Sequence, residues 1–388
     1  EAAIKKLVQR KKRGEIARVV VAGCLVQRFQ RELLKKFPGV DIFAEISDGK
    51  ALARSILELS EGKSVPRYLD NGGLREAGRD EARLLATPGS YAYLRISHGC
   101  DHLCSFCAIP AIRGPHRSKR PDDVLAEARE LIGAGVKELV LVAEDSTAWG
   151  RDMGLELPAL VEALAELDGP HQVRVMYAYP NNFPWELTRL MREHPRVVPY
   201  LDIPVQHIAT SMLRAMKRAG SGDQVRKLFD RLRTEVPEIT LRTTMLVGFP
   251  GESEADVDEL IEFIRTYRIA RLGAFTYSPE EGTSGFALEG RVSEKVMRAR
   301  HKRVLEARDE VLRSEQQALV GSELDVLIDE SALGRSTPAV GRSALDAPEV
   351  DLVVRVKQCK APVGERVRVR IKALDEECNL VGAPAEAP

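Results

Sequence analysis

The sequence predicts an α/β protein: a partial (β/α)6 barrel, preceded by a truncated N-terminal α/β domain and followed by a small antiparallel β-barrel. Three observations carry this. From residue 91 onward, six apolar segments alternate with helical patterns at roughly 30-residue spacing, the rhythm of parallel strands joined by crossover helices. Continuous apolar runs such as Leu139-Val140-Leu141-Val142 fit strands buried on both faces. From residue 322, short strands with apolar–polar alternation and turn residues between them replace that rhythm.

The elements follow in order. A basic amphipathic stretch with Lys5, Lys6 and Arg10 predicts a helix, and the apolar run Ala17 to Ala22 predicts a buried strand ending at Gly23-Cys24. A second helix is expected at Gln27 to Phe37, closed by Pro38-Gly39, then a strand at Asp41 to Ala44 and a helix at Lys50 to Leu59. Polar, Gly-rich residues 71–90 read as a linker. Barrel strands are expected at Tyr93–Ser97, Glu138–Ala143, Gln172–Ala178, Tyr200–Ile203, Leu241–Val247 and Leu272–Tyr277. Helices are expected between them at Asp122–Gly133, Pro158–Leu167, Trp185–Glu193, Ser211–Arg218 with Gln224–Val236, and Glu254–Tyr267, followed by a long helix from Glu294 to Val320. The terminal barrel is read from LDVLID, DLVVRV and ERVRVRIKAL, and the last residues, GAPAEAP, as frayed. The expected domains are therefore 1–70, the linker 71–90, the barrel 91–320 and the small barrel 321–388.

Composition bounds the function. Hydrophobic residues are 44% and charged residues 30% of 388, enough for a core and against disorder. Lys+Arg and Asp+Glu are both 58, so bulk charge gives no general attraction to nucleic acid. The last domain carries nine Lys and Arg against twelve Asp and Glu, a net acidic surface better suited to a basic protein than to RNA. No apolar run is long enough to span a bilayer and no secretory signal is visible, so a cytoplasmic, monomeric protein is expected. The chain opens at Glu1 rather than Met, so the natural N-terminus is expected upstream.

Six cysteines are too few for a disulfide scaffold, and three of them, Cys100, Cys104 and Cys107, crowd into eight residues. Their Cys-x3-Cys-x2-Cys spacing falls just after the first barrel strand, at the strand end where βα barrels carry their sites. Three thiolates on one loop can hold three irons of a four-iron cluster and leave the fourth iron open to a ligand. A zinc site completed by His98 or His102, or three packed core thiols, are the competing readings of the same residues.

This arrangement resembles the radical S-adenosylmethionine (SAM) superfamily. The resemblance implies a [4Fe–4S] cluster on Cys100, Cys104 and Cys107, SAM chelated to the open iron, and its one-electron cleavage to a 5′-deoxyadenosyl radical. It implies further cofactor contacts from Phe106 beside the third cysteine, from Glu144 and Asp145 at the end of strand two, from Arg242 and Thr244 on strand five, and from the turn at Gly248. Each has a plainer reading beside it: a packing aromatic for Phe106, a helix N-cap for Asp145, a barrel ion pair for Arg242 and an ordinary βα turn for Gly248.

GCDHLCSFCAIPAIRGPHRSKRP, VLAEARELIGAGVKELVLVAEDSTAWG, LVGFPGESEADVDELIEFI and the terminal small barrel together resemble the methylthiotransferases, whose C-terminal barrel is a TRAM domain. One branch of that family modifies an adenosine beside the tRNA anticodon, the other the β-carbon of an aspartate in small-subunit ribosomal protein S12. VRVMYAYP at 173–180, YLDIPVQH at 200–207, AFTYSPEEGT at 274–283 and GRSALDAPEVD at 341–351 resemble the protein-modifying branch. That resemblance implies the S12 protein or the 30S subunit as partner, a flavodoxin-type electron donor, and SAM used both as methyl donor and as radical source. Tyr177, Gln206 and His207 are the expected substrate-orienting groups. The family carries a second [4Fe–4S] cluster on three N-terminal cysteines. Cys24 matches the last of them; the other two have no counterpart between Glu1 and Gly23, so the second cluster is expected only where upstream cysteines exist. Cys359 and Cys378 match no ligand position and read as structural. A zinc-stabilised ribosome-binding protein without enzyme activity is the alternative from another class.

Overall fold

The computed structural model describes all residues except 46–48, 71–76, 81–82, 219, 335–336 and 386–388. It divides into two compact units: Glu1–Ala77 with His98–His102 and Ala108–His116, and Gly78–Ser97 with Leu103–Cys107 and Arg117–Pro388.

The first unit is a small α/β structure. Helix α1 (Ala2–Lys12) leads to strand β1 (Val20–Ala22), helices α2 (Cys24–Phe29) and α3 (Glu32–Lys36), strand β2 (Ile42–Ala44), helix α4 (Gly49–Ser60) and strand β3 (Tyr68–Leu69). The sheet is parallel in the order β1-β2-β3. Central β2 is buried throughout, whereas β1 lies at the edge and is only partly covered, so the strand expected to be buried is not. Ile4, Val19, Val26, Leu33, Phe37, Val40 and Phe43 form the core. Lys11 ties α1 to Asp41 at 2.6 Å. The single helix expected at Gln27 to Phe37 is two, because Gln30 adopts φ 45° and breaks the hydrogen-bond ladder. The segment 108–116 contributes helix α5 (Ile109–Arg113) to this unit.

The second unit opens with six parallel strands, β4 (Tyr91–Arg95), β5 (Glu138–Val142), β6 (Gln172–Val175), β7 (Val197–Asp202), β8 (Thr240–Val247) and β9 (Arg271–Thr276). They lie side by side in chain order, an open six-stranded sheet as the βα rhythm predicts. Helices α6 (Pro121–Gly133), α7 (Leu157–Ala165), α8 (Glu186–Glu193), α9 (Thr210–Ala215), α10 (Gly222–Glu235) and α11 (Glu254–Thr266) connect them, and α12 (Glu294–Ala318) follows. Starts are set by local chemistry: Pro121 sits in the first turn of α6, and Ser221 and Ser253 each close a capping box. Strand β6 stops at Val175, short of the expected Ala178, because Tyr177 takes φ 59°. In the stretch expected as a linker, Asp80 is ion-paired to Arg95 and Lys119, so this part is anchored; residues 71–76 and 81–82 of that stretch lie outside the described residues.

Side chains alternate across each barrel strand. Ala92, Leu94, Leu139, Leu141, Val173, Val175, Leu241 and Met245 face the helices and form the main core. The opposite positions face the lumen, where Tyr91, Glu138, Arg174, Tyr200, Asp202, Arg242 and Arg271 stand beside the apolar Val140, Met176 and Val198.

The small barrel is closed, in the order β10-β11-β12-β14-β13, from β10 (Glu323–Glu330), β11 (Ala339–Arg342), β12 (Val354–Val356), β13 (Arg366–Leu374) and β14 (Leu380–Pro384). Sequence periodicity anticipates three of these strands; β11 and β14 each carry a glycine and lack apolar–polar alternation. The barrel is not wholly antiparallel, since β12 pairs β14 in parallel, Val354 opposite Leu380. Cys359 and Cys378 are buried, as the structural reading expects. The tail expected to fray is anchored where it is described: residues 382–384 of β14 pair with β13 and the Ala385 N–H donates to the Arg368 carbonyl at 2.8 Å, while residues 386–388 lie outside the described residues.

Segment 342–351, joining β11 to β12, packs into the N-terminal half of the lumen. Arg342 bonds Glu138 and Asp329, Asp346 pairs with Arg271 at 2.8 Å, Glu349 accepts from Tyr91 and Tyr93, and Asp351 accepts from Tyr200 and lies 3.5 Å from Arg242. Arg174 bonds both Glu138 and the carbonyl of Ala344. Every barrel strand therefore contributes an inward side chain to this one segment.

Burial alone would push the Glu138 carboxyl up, but Arg174 and Arg342 overcome it and hold it at about 2. A carboxylate depressed on folding stabilises the fold above its unfolded value near 4.5, and that stabilisation is lost as pH falls toward 2. Glu138→Gln is expected to cost about 3–5 kcal/mol at pH 7, because two buried guanidinium groups lose their shared counter-charge. Urea denaturation at pH 7 and pH 3 should show a smaller acid sensitivity for the variant than for the parent chain.

Candidate functional site

At the C-terminal ends of the barrel strands the loops carry the residues singled out by sequence. None of the six cysteines forms a disulfide. In the second unit, Cys104 is buried and Cys107 is partly exposed, its N–H donating to the carbonyl of Cys104 at 3.1 Å. Ser105 sews this loop to the turn after α9: its N–H donates to the carbonyl of Met216 at 3.0 Å and its hydroxyl to that of Ala215 at 2.8 Å. The Ser105 carbonyl accepts the N–H of Gly285 at 2.6 Å, and a Cβ at Gly285 would meet that carbonyl, so only glycine fits there. Phe106 packs against the cluster of Met212, Met216, Leu246, Phe249 and Tyr277, which is its packing reading. Arg218 Nη1 lies 3.5 Å from Cys104 Sγ, while its Nη2 donates to the carbonyl of Pro204 and its guanidinium stacks 4.2 Å over Tyr179.

Within the first unit, Cys100 donates its N–H to the carbonyl of Gly114 at 3.1 Å, and Cys24 is exposed with Arg113 Nη2 3.8 Å from its sulfur. A Cβ at Gly99 would lie 2.1 Å from the carbonyl oxygen of Pro115, which fixes glycine before the first cysteine of the motif. Among the described residues no three Cys, His, Asp or Glu side chains converge on one metal position. The fit of this loop to an iron–sulfur cluster rests on its donors: three soft thiols, unoxidised, on one short loop.

The other expected cofactor contacts are engaged within the fold. Asp145 is buried and accepts from Thr147 through both the N–H at 2.9 Å and the hydroxyl at 2.6 Å, an N-cap as its plainer reading has it. Glu144 beside it is half-buried. Arg242 pairs with its cross-strand neighbour Asp202 at 3.0 Å; burial alone would lower its pKa, and the surrounding carboxylates and Tyr200 raise it instead. Thr244 faces the same side two residues on, half-buried near Gly273. Gly248 has φ 81°, its N–H donates to Glu252 at 2.8 Å, and a Cβ there would strike Met297.

The expected substrate groups divide. Tyr177 is half-exposed at φ 59°; burial first, then Asp202, pushes its phenol up, so it stays protonated at neutral pH. Gln206 sits at φ 72°, its N–H held by the carbonyl of Thr244 at 2.8 Å and its own carbonyl by Leu246 at 2.7 Å. Two non-glycine residues in the left-handed region at one barrel mouth cost about 1–3 kcal/mol each, strain of the kind that concentrates at functional sites. His207 differs: it is fully buried. Its Nδ1 accepts the N–H groups of Ile208 and Ala209 at 2.9 and 3.0 Å, and its Nε2 lies 3.6 Å from Glu252, which in turn holds Arg300 at 2.9 Å. It braces the Gln206 loop against the Gly248 turn.

Sequence reasoning missed Arg218, Glu252, Arg300 and the exposed Phe275. Glu252 stands inside the quoted GFPGE, the signal that could have flagged it; Phe275 stands inside AFTYSPEEGT. Arg218 and Arg300 carry no local mark. Glu252→Ala should leave Gly248 N–H and Arg300 short of an acceptor, costing about 3 kcal/mol. Hydrogen exchange at the Gly248 amide should accelerate while exchange in β4 and β5 stays unchanged.

The profile of the Radical SAM superfamily matches residues 94–264 and that of the TRAM domain residues 320–384. The chain is 39% identical to "Ribosomal protein uS12 methylthiotransferase RimO" of Sorangium cellulosum over 98% of its length and 78% of the relative's. The protein of the same name from Geotalea uraniireducens is 40% identical over 97% of this chain and 84% of its own length. Among solved structures, the radical SAM methyltransferase TsrM from Kitasatospora setae, with cobalamin and a [4Fe–4S] cluster bound, superposes with a TM-score of 0.54 at 17% identity, covering 70% of this chain and 59% of that one. That likeness establishes a shared fold, and the relatives narrow it. A radical SAM barrel joined to a TRAM barrel, with identity of this level across almost the whole chain, places the protein in the family of radical SAM methylthiotransferases that includes the ribosomal protein uS12 enzymes named RimO.

Proposed function

We propose that this chain adds a methylthio group to the β-carbon of an aspartate in ribosomal protein uS12. The observation that carries the proposal is the identity of 38–40% with proteins named for that substrate, spread over 95–98% of the chain rather than confined to the barrel.

In this reading Cys100, Cys104 and Cys107 hold a [4Fe–4S] cluster, with SAM on the open iron. When bound, the cluster supplies the electron that makes SAM a source of a carbon radical, which an unactivated C–H bond demands because it has no acidic proton for a base to remove. The chain's own residues do the rest. Tyr177 and Gln206, fixed by strained backbone at the barrel mouth, orient the target loop by hydrogen bonding. Phe275, 59% exposed on the lumen side of β9, and Leu103, 73% exposed beside Cys104, offer apolar surface that excludes water when substrate covers it. Segment 342–351 fills the lumen from its opposite end, so reactants enter from the loop side. Cys24 is a ligand of a second cluster only together with cysteines upstream of Glu1. A flavodoxin-type donor is the proposed reductant, and the chain acts as a monomer. No helix among the described residues is long and apolar enough to cross a membrane.

The reconstituted protein, incubated anaerobically with SAM and a reductant, is offered a peptide of the uS12 target loop and an isopentenyladenosine-bearing tRNA stem-loop together. Mass spectrometry should find the methylthio gain on the peptide alone; a gain on the RNA alone assigns the chain to the tRNA branch, and zinc without sulfide in the purified protein assigns it to a binding role. Gln206→Ala should lower peptide turnover at least about tenfold, about 1.4 kcal/mol, with iron and sulfide unchanged. Unchanged turnover with an intact cluster removes Gln206 from the substrate site.

A further inference from the structure

Arg218 is a buried cation without a carboxylate. Among the described residues it forms no ion pair, its Nε has no hydrogen-bond partner, and its contacts are Cys104 Sγ at 3.5 Å, the carbonyl of Pro204 and the face of Tyr179 at 4.2 Å. Every other buried arginine of this unit meets a carboxylate: Arg174 meets Glu138, Arg271 meets Asp346, Arg300 meets Glu252 and Arg342 meets Asp329. A buried charge left without its opposite is costly. The fold nevertheless holds Arg218 in place through its N–H to the Leu213 carbonyl at 2.8 Å and through the two Ser105 bonds to the preceding turn. Of the groups that Arg218 is seen to contact, the one that would carry negative charge on binding a metal is the sulfur of Cys104.

We propose that Arg218 is a positioning and tuning residue for the iron–sulfur site: its guanidinium supplies the positive charge and the N–H donor that the Cys104 thiolate meets when it ligates iron. This rests on the reading of Cys100, Cys104 and Cys107 as cluster ligands. A donor and a fixed cation beside a cluster thiolate stabilise the more negative, reduced form, because the added electron is attracted through a low-dielectric interior. The same guanidinium joins the cysteine loop to Tyr179 and Pro204, which lie in the loops carrying Tyr177 and Gln206.

The test uses the full chain, reconstituted anaerobically with iron and sulfide, in the parent and in Arg218→Met, Arg218→Gln and Arg218→Lys. Iron and sulfide content is measured first, then the midpoint of the reduced-cluster signal by redox titration with electron paramagnetic resonance. The two neutral variants should load iron as the parent does and become harder to reduce by about tenfold in the equilibrium constant, about 59 mV for one electron. Arg218→Lys, which keeps the charge but not the planar fork, should shift by less than about threefold. An unshifted midpoint in a loaded neutral variant overturns the proposal. Where neither neutral variant loads, loading by Arg218→Lys supports a requirement for charge, and failure of all three overturns it in favour of a packing role. Cys104→Ala separates the two layers: if it keeps full iron and the same signal, the cluster assignment itself falls and this inference with it.

Discussion

The lumen of the six-stranded sheet is organised around Glu138, held between Arg174 and Arg342 with no exposure to solvent. An open sheet of parallel strands has an inner face that no helix covers. Here a ten-residue stretch of the C-terminal barrel covers it, through carboxylate, guanidinium and tyrosine contacts and through Ala347, which packs in one cluster with Tyr91, Val140, Met176, Val198 and Tyr200. Such a network adds little net stability over an apolar plug, since desolvation offsets most of the attraction. What it adds is specificity. Each strand offers a different partner, so the segment seats in one register, and the TRAM barrel is thereby fixed to the radical SAM barrel.

Two consequences follow for the opposite end of the strands. With its N-terminal half filled, the other end of the lumen lies under the loops that follow the strands, and there the backbone is strained at Tyr177 and Gln206. That strain persists because both neighbours are over-determined: Gln206 by paired backbone bonds to Thr244 and Leu246, and the following residue, His207, by Glu252 and Arg300. The long helix α12 serves both ends, since Arg300 holds Glu252 near the mouth and Gln316 bridges Arg271 to the carbonyl of Cys378 in the small barrel.

Several residues that the sequence marks as ligand contacts also brace the fold. Arg242 pairs across strands with Asp202, Asp145 caps the turn that follows it, and His207 is sealed in the interior. Motif position could not separate these roles, because a strand end places a side chain near the site whether it points at a ligand or at its neighbour. Asp145 and Arg242 make the contacts of a cap and of a barrel ion pair, and both stand at the strand ends where a cofactor contact is proposed.

The six-strand βα order, the position of the cysteine triple after the first strand, most helix starts and the barrel character of the last domain were legible in the residue pattern. Those features depend on local chemistry: apolar period, capping residues, and spacing within one loop. The tertiary structure alone decided that β12 and β14 pair in parallel, that Gln30 splits a helix, that segment 342–351 fills the lumen, and that Arg218 lies against Cys104 across a separation of 114 residues. These depend on which distant groups share a low-dielectric interior. A one-dimensional pattern marks a residue's preference for burial or for charge, but the partner that makes a buried charge tolerable is chosen only when the chain closes around it.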